Sequence, residues 1–319
     1  MIKPKDLSII IPARNEMFLK QTIDNILENA EADTEVIAVC DGNWPDPPLE
    51  DHPKVEIIYH SEAIGQRQST NEGARLSRAK YIMKADAHCA FGKGFDKKLI
   101  EPYEAGRLDR TVTSVPRMYN LHAFDWECQT CKKRVYQGPK PTKCKECDGG
   151  KFEMAIVWKP RLSRRSDGLR FDSDMKFQYW REYESRPECV DVDLLPVLGC
   201  LGACFFLDRE RYWELGGSDE SHGGWGQYGT EVAVKAWLSG GQLICNRNTW
   251  FSHMFRTNNA GFSFPYPISG HEVHIAKEYS KDLWLNDKWD KAKYPLSWLL
   301  EKFWPVPGWT DEDLAKLKK

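Results

Sequence analysis

Asp86-Ala87-His88 sets a hard oxygen ligand and an imidazole two residues apart. In extended backbone, positions i and i+2 point to the same side, so both can reach one ion. His253, behind a later apolar run, offers a third ligand. A divalent cation held by Asp86, His88 and His253 would neutralise a diphosphate leaving group as negative charge develops on it. A second set of ligands is sulfur. Cys128, Cys131, Cys144 and Cys147 follow the pattern C-x2-C-x12-C-x2-C. Each pair closes a tight knuckle and four thiolates complete a tetrahedron, which is the signature of a zinc ribbon. The residues around them are rich in Lys, Gly and Pro, so metal rather than an apolar core would stabilise the segment. Two disulfides in a secreted loop are the alternative, and no secretory signal accompanies them. The other six cysteines (Cys40, Cys89, Cys189, Cys200, Cys204, Cys245) are scattered, mostly in apolar runs, and are expected to be buried free thiols.

The elements that must position these ligands alternate. Apolar runs at 7–12, 35–40, 55–59 and 81–85 read as strands buried in a parallel sheet. Helical spacing at 15–29 and 64–79 separates them. The pattern predicts an α/β chain with a mostly parallel, doubly wound sheet, in which ligands bind beyond the carboxyl ends of the strands. Asn15, Asp41 and Asp86 all follow strand ends and are expected on one edge. A further strand is expected at 111–119, helices at 209–215 and 231–238, and a strand at 243–250. Residues 157–183 read as polar, basic at first and aromatic later, and 257–271 as a long loop of the kind that closes over a site. The expected organisation is a first α/β part at 1–125, the ribbon insertion at 126–151, a second part at 152–280, and a Trp-rich tail at 281–319 packed on the core.

Composition narrows the function classes. With 319 residues, 41% hydrophobic and 29% charged, the chain is ordinary globular protein rather than disordered. A net charge of −2 excludes a globally basic nucleic-acid coat, though not a local patch. No apolar run reaches the length of a membrane span, and a cytoplasmic protein is expected, in the host cytoplasm if a phage encodes it.

The run Ser8-Ile-Ile-Ile-Pro-Ala-Arg-Asn-Glu16, Asp41, Gly65-Gln-Arg67 and Ala85-Asp-Ala-His-Cys89 resemble the nucleotide-sugar half of GT-A glycosyltransferases of family 2. Gly202-Ala-Cys-Phe-Phe-Leu-Asp-Arg-Glu210, Gly224-Trp-Gly226, Glu231, Trp237-Leu-Ser-Gly-Gly241 and His253-Met-Phe-Arg256 resemble the polypeptide N-acetylgalactosaminyltransferases. The match spans about 5–100 and 197–280 and omits the ribbon and tail. The resemblance implies a GT-A fold with an inserted ribbon and a UDP-sugar donor, residues 1–125 being its nucleotide-sugar-binding part and 152–280 its acceptor and catalytic part. It also implies Mn2+ (or Mg2+) on Asp86, His88 and His253, with Asp86 reaching the donor through the metal. Pro12, Asn15, Glu16 and Asp41 would line the nucleoside site, Asp41 reading the base or ribose. Arg67 would sit near the donor, Arg256 would hold the diphosphate, residues 257–271 would close over it, and Trp225 would shape the sugar pocket.

One departure bears on mechanism. The family pattern W-G-G-E-N-L-E is Trp225-Gly-Gln-Tyr-Gly-Thr-Glu231 here. Tyr228 fills the first acidic position, and the base of inverting relatives falls near Gly229. Glu231 or Asp219 is left to deprotonate an acceptor. The Asp-x-His triplet and His-Met-Phe-Arg lean to the retaining group, where the leaving phosphate itself assists.

The ribbon points to an acceptor. Between Cys128 and Lys151, seven basic residues face two acidic ones, a net of +5 in a chain of −2. Lys159, Arg161, Arg164, Arg165 and Arg170 follow, with Tyr136, Phe152, Trp158, Phe177, Tyr179 and Trp180 nearby. Basic charge suits a phosphate backbone, and aromatic rings suit stacked bases. A transferase that glycosylates hydroxymethylpyrimidines in DNA, a class found chiefly in bacteriophages, is the favoured reading. A transferase acting on protein Ser/Thr or a glycan, and a non-catalytic nucleic-acid-binding protein on the same scaffold, are the alternatives. A clip that only holds the insertion is an equal reading of the ribbon.

Overall fold

The computed structural model describes residues 5–256 and 262–318. Strand β1 (Leu7–Ala13) sends Leu7, Ile9 and Ile11 into one apolar cluster and Ile10 into another on the opposite face. Buried on both faces, it has no polar side to alternate, which is why it reads as an unbroken apolar run. Helix α1 (Leu19–Asn29) covers the first face through Leu19, Ile23 and Ile26. It starts four residues later than its spacing predicts, because Asn15 takes a left-handed φ of 51° that no helix continues through. Strands β2 (Thr34–Asp41) and β3 (Val55–His60) extend the parallel sheet on one side of β1. Helix α2 (Gln66–Leu76) crosses the second face, and β4 (Tyr81–Ala85) pairs parallel to β1 on its other side. Strand β5 (Cys89–Phe91) and helix α3 (Phe95–Glu104) follow.

Strand β6 (Val112–Cys128) is longer than its sequence predicts. It crosses the sheet and runs out of it to the first ribbon cysteine. After β7 (Arg134–Tyr136) and the knuckles, β8 (Phe152–Ser166) returns antiparallel along it. The ribbon is therefore the tip of a two-stranded arm continuous with the central sheet. Sequence alone left β8 as a polar stretch, since its Arg-rich, solvent-facing residues carry no apolar alternation. A short hairpin, β9 (Leu169–Phe171) and β10 (Phe177–Tyr179), and two helical turns, α4 (Arg181–Glu184) and α5 (Pro187–Val190), lead to β11 (Leu194–Pro196).

The chain then lays down β12 (Cys204–Asp208), α6 (Arg209–Glu214), α7 (Tyr228–Leu238) and β13 (Gln242–His253). The order β11-β13-β6-β12-β4-β1-β2-β3 makes one mixed sheet. Strand β12 is antiparallel to both neighbours, so β13 and β6 point the same way as β1 and β4. The carboxyl ends of β1, β2, β4 and β13 therefore share one edge, which carries Glu16, Asp41, Asp86 and His253. Helices α8 (Gly270–Leu285), α9 (Leu296–Phe303) and α10 (Asp311–Leu317) complete the chain. Trp284, Leu299, Leu300, Phe303 and Trp309 of this tail join the same apolar cluster as α7. No helix among the described residues is long and apolar enough to cross a membrane.

Trp284 has no exposed surface. Trp284→Ala is expected to lower stability by about 3–5 kcal/mol, read as a shifted urea midpoint. An unchanged midpoint would show that the tail is not part of the cooperative core.

Candidate active site and metal centre

At the shared strand edge, His88 Nε2 lies 3.1 Å from His253 Nε2, which lies 3.2 Å from Asp86 Oδ2. The three residues qualify together as a cation site. His88 and Asp86 are held from behind, while His253 Nδ1 is buried with no hydrogen-bond partner. His88 Nδ1 donates to Glu16 Oε2 at 3.0 Å, which leaves Nε2 as the free lone pair. Arg256 Nη2 clamps both Glu16 oxygens at 2.7 and 2.8 Å, and its guanidinium lies over the Phe262 ring. Asp86 Oδ1 is taken by the Lys84 ammonium and by Gln66 Nε2 at 3.2 Å, so Oδ2 is the oxygen turned to the histidines. Burial opposes ionisation of Asp86, yet Lys84, His253 and His88 hold its carboxyl well below the usual range. Burial holds His253 down to about 4, so it is neutral near pH 7 and can donate a lone pair. A carboxylate with two neutral imidazoles suits a first-row divalent ion.

These groups open onto a cavity of about 660 Å3. Pro12, Glu16, Asp41, Asp86, His88, Trp225, His253 and Arg256 line it; Asn15, Arg67 and Glu231 do not. Asn15 instead donates to the Pro265 carbonyl at 2.8 Å, tying the end of β1 to the segment before α8. Asp41 is buried, and its carboxylate accepts from the backbone N–H groups of Ile64 and Gly65. It therefore shapes the turn into α2 as well as the cavity wall. Of the loop expected to close over the site, residues 257–261 lie outside the described residues. Phe264, Tyr266, Pro267 and Ile268 line the cavity.

The expectation that Glu231 acts as a base fails on geometry. Glu231 is 1% exposed. Its carboxylate accepts from Arg67 Nε at 2.7 Å, Lys235 Nζ at 2.8 Å and the Asp219 N–H at 2.6 Å. Arg67 is equally buried, and it donates to the carbonyls of Gly223 and Gly226 on either side of Trp225. The pair therefore holds the Trp225 loop and does not touch the reacting atoms. Asp219 faces Ser221, His222 and Tyr279 rather than the cavity. Gly229, at the position of the inverting base, cannot carry a side chain, because a Cβ there would come within 2.1 Å of the Cys200 carbonyl oxygen.

Sequence reasoning missed Lys84. It has no exposed surface, and its ammonium bridges Asp86 and the Gly202 carbonyl, the latter at 2.7 Å. The signal was available: a lysine on the same side of β4 as Asp86, in an otherwise apolar strand. It also missed that Glu16 supports a metal ligand; one carboxylate in a loop gives no hint of which distant imidazole it meets.

At the arm's tip the four cysteine sulfurs lie within 4.8 Å of one another, with two pairs at 3.6 Å and no disulfide. A tetrahedron of Zn–S bonds has edges of roughly 3.8 Å. Backbone N–H groups of Cys131 and Thr130 pull the Cys128 thiol down to about 6, toward the thiolate that a metal binds.

Burial opposes ionisation of Glu231, but Lys235 and Arg67 bring its pKa down to about 2 from 4.5. A lowered carboxylate pKa stabilises the fold fully above about pH 4.5 and loses that contribution as pH falls through about 2. Glu231→Gln should cost about 3–5 kcal/mol near pH 7, because two buried cations lose their counter-charge. Its stability curve should also lack the limb between pH 4.5 and 2. Urea titrations across that range check both, and a parallel offset at every pH would contradict the pairing.

A family model for glycosyl transferase family 2 matches residues 8–216. The chain is 25% identical over 292 residues to the putative polypeptide N-acetylgalactosaminyltransferase 13 of Drosophila melanogaster, covering 86% of this chain and 45% of that protein. It is 24% identical over 296 residues to polypeptide N-acetylgalactosaminyltransferase 10 of Homo sapiens, covering 88% and 42%. The chain thus spans less than half the length of these curated relatives. Among solved structures, GalNAc-T7 with UDP, GalNAc and Mn2+ is similar at a TM-score of 0.62 and 17% identity, over 99% of this chain and 54% of that one. S. aureus TarS follows at 0.51 and 10%, over 93% and 42%. At such identities the structural likeness shows the α/β GT-A fold alone. With the family model covering more than half of its residues, this chain belongs to glycosyl transferase family 2.

Proposed function

We propose that the chain is a metal-dependent glycosyltransferase that moves a sugar from a UDP-sugar to the hydroxymethyl group of a modified pyrimidine in DNA, with retention of configuration. The donor half of this reading rests on the Asp86, His88 and His253 cluster at the strand edge of a family 2 fold. A divalent cation there, Mn2+ or Mg2+, would neutralise the departing diphosphate. Retention is supported by the carboxylates of the cavity. Glu16, Asp41 and Asp86 are engaged as described, and the exposed Glu272 gives one oxygen to the Ser269 N–H, so no buried carboxylate of the cavity is free to act as a base among the described residues.

The acceptor half rests on one observation, the register of β8. Arg161 pairs with Asn120, and Asn120 pairs with His253. Residues opposed across a ladder share a face, and two strand spacings are about 10 Å. Arg161 thus lies two strands from His253, its guanidinium over the Tyr136 ring of the arm, with Lys159, Arg164 and Arg165 exposed along the same strand. The tip is less basic than its composition implies, since Lys132, Lys133, Arg134 and Lys143 pair with Glu127, Glu146 and Asp148. The basic track is the strand rather than the knuckle. We assign Zn2+ to the four cysteines, as the clip that closes the arm. Ten free thiols suit a reducing compartment such as the cytoplasm. A second reading, transfer to protein Ser/Thr, is favoured by the names of the curated relatives.

Release of nucleoside diphosphate from a panel of sugar donors, with Mn2+ and with or without hydroxymethylated DNA, tests this. Release stimulated by the modified DNA and abolished in Asp86→Ala is the expected result. Equal release with unmodified DNA, or stimulation only by peptides, would overturn the DNA assignment.

A further inference from the structure

The cavity has a wall that neither the metal triad nor the strand ends require. Lys176, Phe177 and Tyr179 line it from the β9–β10 hairpin. Phe177 and Tyr179 are i and i+2 on one short strand, so both rings face the cavity, edge to face with centroids 5.3 Å apart. Gln178 between them turns the other way, toward Asp172 Oδ2 at 3.3 Å. Tyr179 remains 44% exposed, a large ring left open to solvent at the mouth of a binding cavity. Trp225 and Phe264, edge to face at 5.6 Å, line the same cavity.

The hairpin is fixed to the basic strand. Only two residues, Asp167 and Gly168, separate the end of β8 at Ser166 from Leu169, the first of β9. The buried Asp167 carboxylate binds Arg117 through two bonds of 2.8 Å and Arg247 at 2.9 Å. Glu184 Oε1 accepts from the N–H groups of Asp167 and Gly168. Leu169 bridges to Gly199, whose loop continues through the cavity-lining residues 200–203. The strand that carries the exposed Arg164 and Arg165 thus passes through a short turn into the half-buried Phe177 and exposed Tyr179, in the cavity that the metal ligands also line.

We infer that Phe177 and Tyr179 form the acceptor subsite, on which a pyrimidine turned out of the DNA stack lies against the rings. Lys176 and the arginines of β8 would hold the flanking phosphates. This rests on the DNA reading and gives it a location. Every base offers a π-face, so the rings supply affinity while the hydroxymethyl group supplies selectivity. In the transfer, the hydroxymethyl oxygen bonds to the anomeric carbon of the sugar. The bond from that carbon to the phosphate oxygen breaks, its electron pair leaving with the nucleoside diphosphate. The hydroxyl proton passes to that leaving oxygen.

The test uses the full zinc-loaded chain with hydroxymethylated duplex DNA carrying 2-aminopurine beside the target base. Phe177→Ala/Tyr179→Ala should raise the KM for DNA roughly 5- to 150-fold and lose the fluorescence rise that marks base extrusion. The salt slope of DNA binding, which counts phosphate contacts, should not change. Tyr179→Leu, at an exposed position, should show a smaller loss in the same direction, and Tyr179→Phe should restore the wild-type KM. If the wild type transfers to DNA and the two ring-deleting variants keep its KM and its fluorescence rise, the subsite is wrong while the DNA reading stands. If the wild type transfers only to peptides or glycans, both fall.

Discussion

Two imidazoles and a carboxylate meet here with their donor atoms about 3 Å apart, drawn from β4, the turn after it and the end of β13. Such a meeting is costly unless the imidazole beside the carboxylate is neutral and the groups around it are held in place. Glu16 and Arg256 secure His88, Lys84 and Gln66 secure Asp86, and burial keeps His253 uncharged. The mixed sheet serves this constraint: because β12 is antiparallel to both neighbours, β13 ends on the same edge as β4.

The parallel half of the fold was legible in the sequence because its strands are buried on both faces and read as plain apolar runs. The cysteine knuckles were legible because thiolate coordination fixes their spacing. Strand β8 was not, since solvent-facing Arg and Lys give no periodic signal and its pairing is dictated by β6. Among the site residues, Asp86, His88 and His253 were found from type and position. Glu231 was found as an acid but given the wrong work, because sequence does not reveal that Arg67 and Lys235 approach it in the interior. Arg67 was likewise expected beside the donor and instead carries the loop that presents Trp225. Lys84 went unread although its alternation with Asp86 was visible.

The departures from the family pattern cohere physically. Gly229 leaves room for the Cys200 carbonyl, Tyr228 lays its ring near the Arg67 guanidinium and the Lys84 ammonium, and Glu231 neutralises Arg67 and Lys235 behind them. The slot that carries acidic and amide groups in the family pattern still lines the cavity, but with Tyr228 and Gly229 there it presents no carboxylate. The cavity's remaining wall is the aromatic hairpin of Phe177 and Tyr179.

Mn2+ binding by the zinc-loaded chain, followed by titration with electron paramagnetic resonance detection, tests the metal centre most directly. One site is expected, lost in His253→Ala and weakened roughly 10- to 100-fold in Glu16→Gln, with the secondary structure of both variants intact. Equal Mn2+ affinity in all three proteins would contradict the assignment of Asp86, His88 and His253 as the site on which the rest of the structure converges.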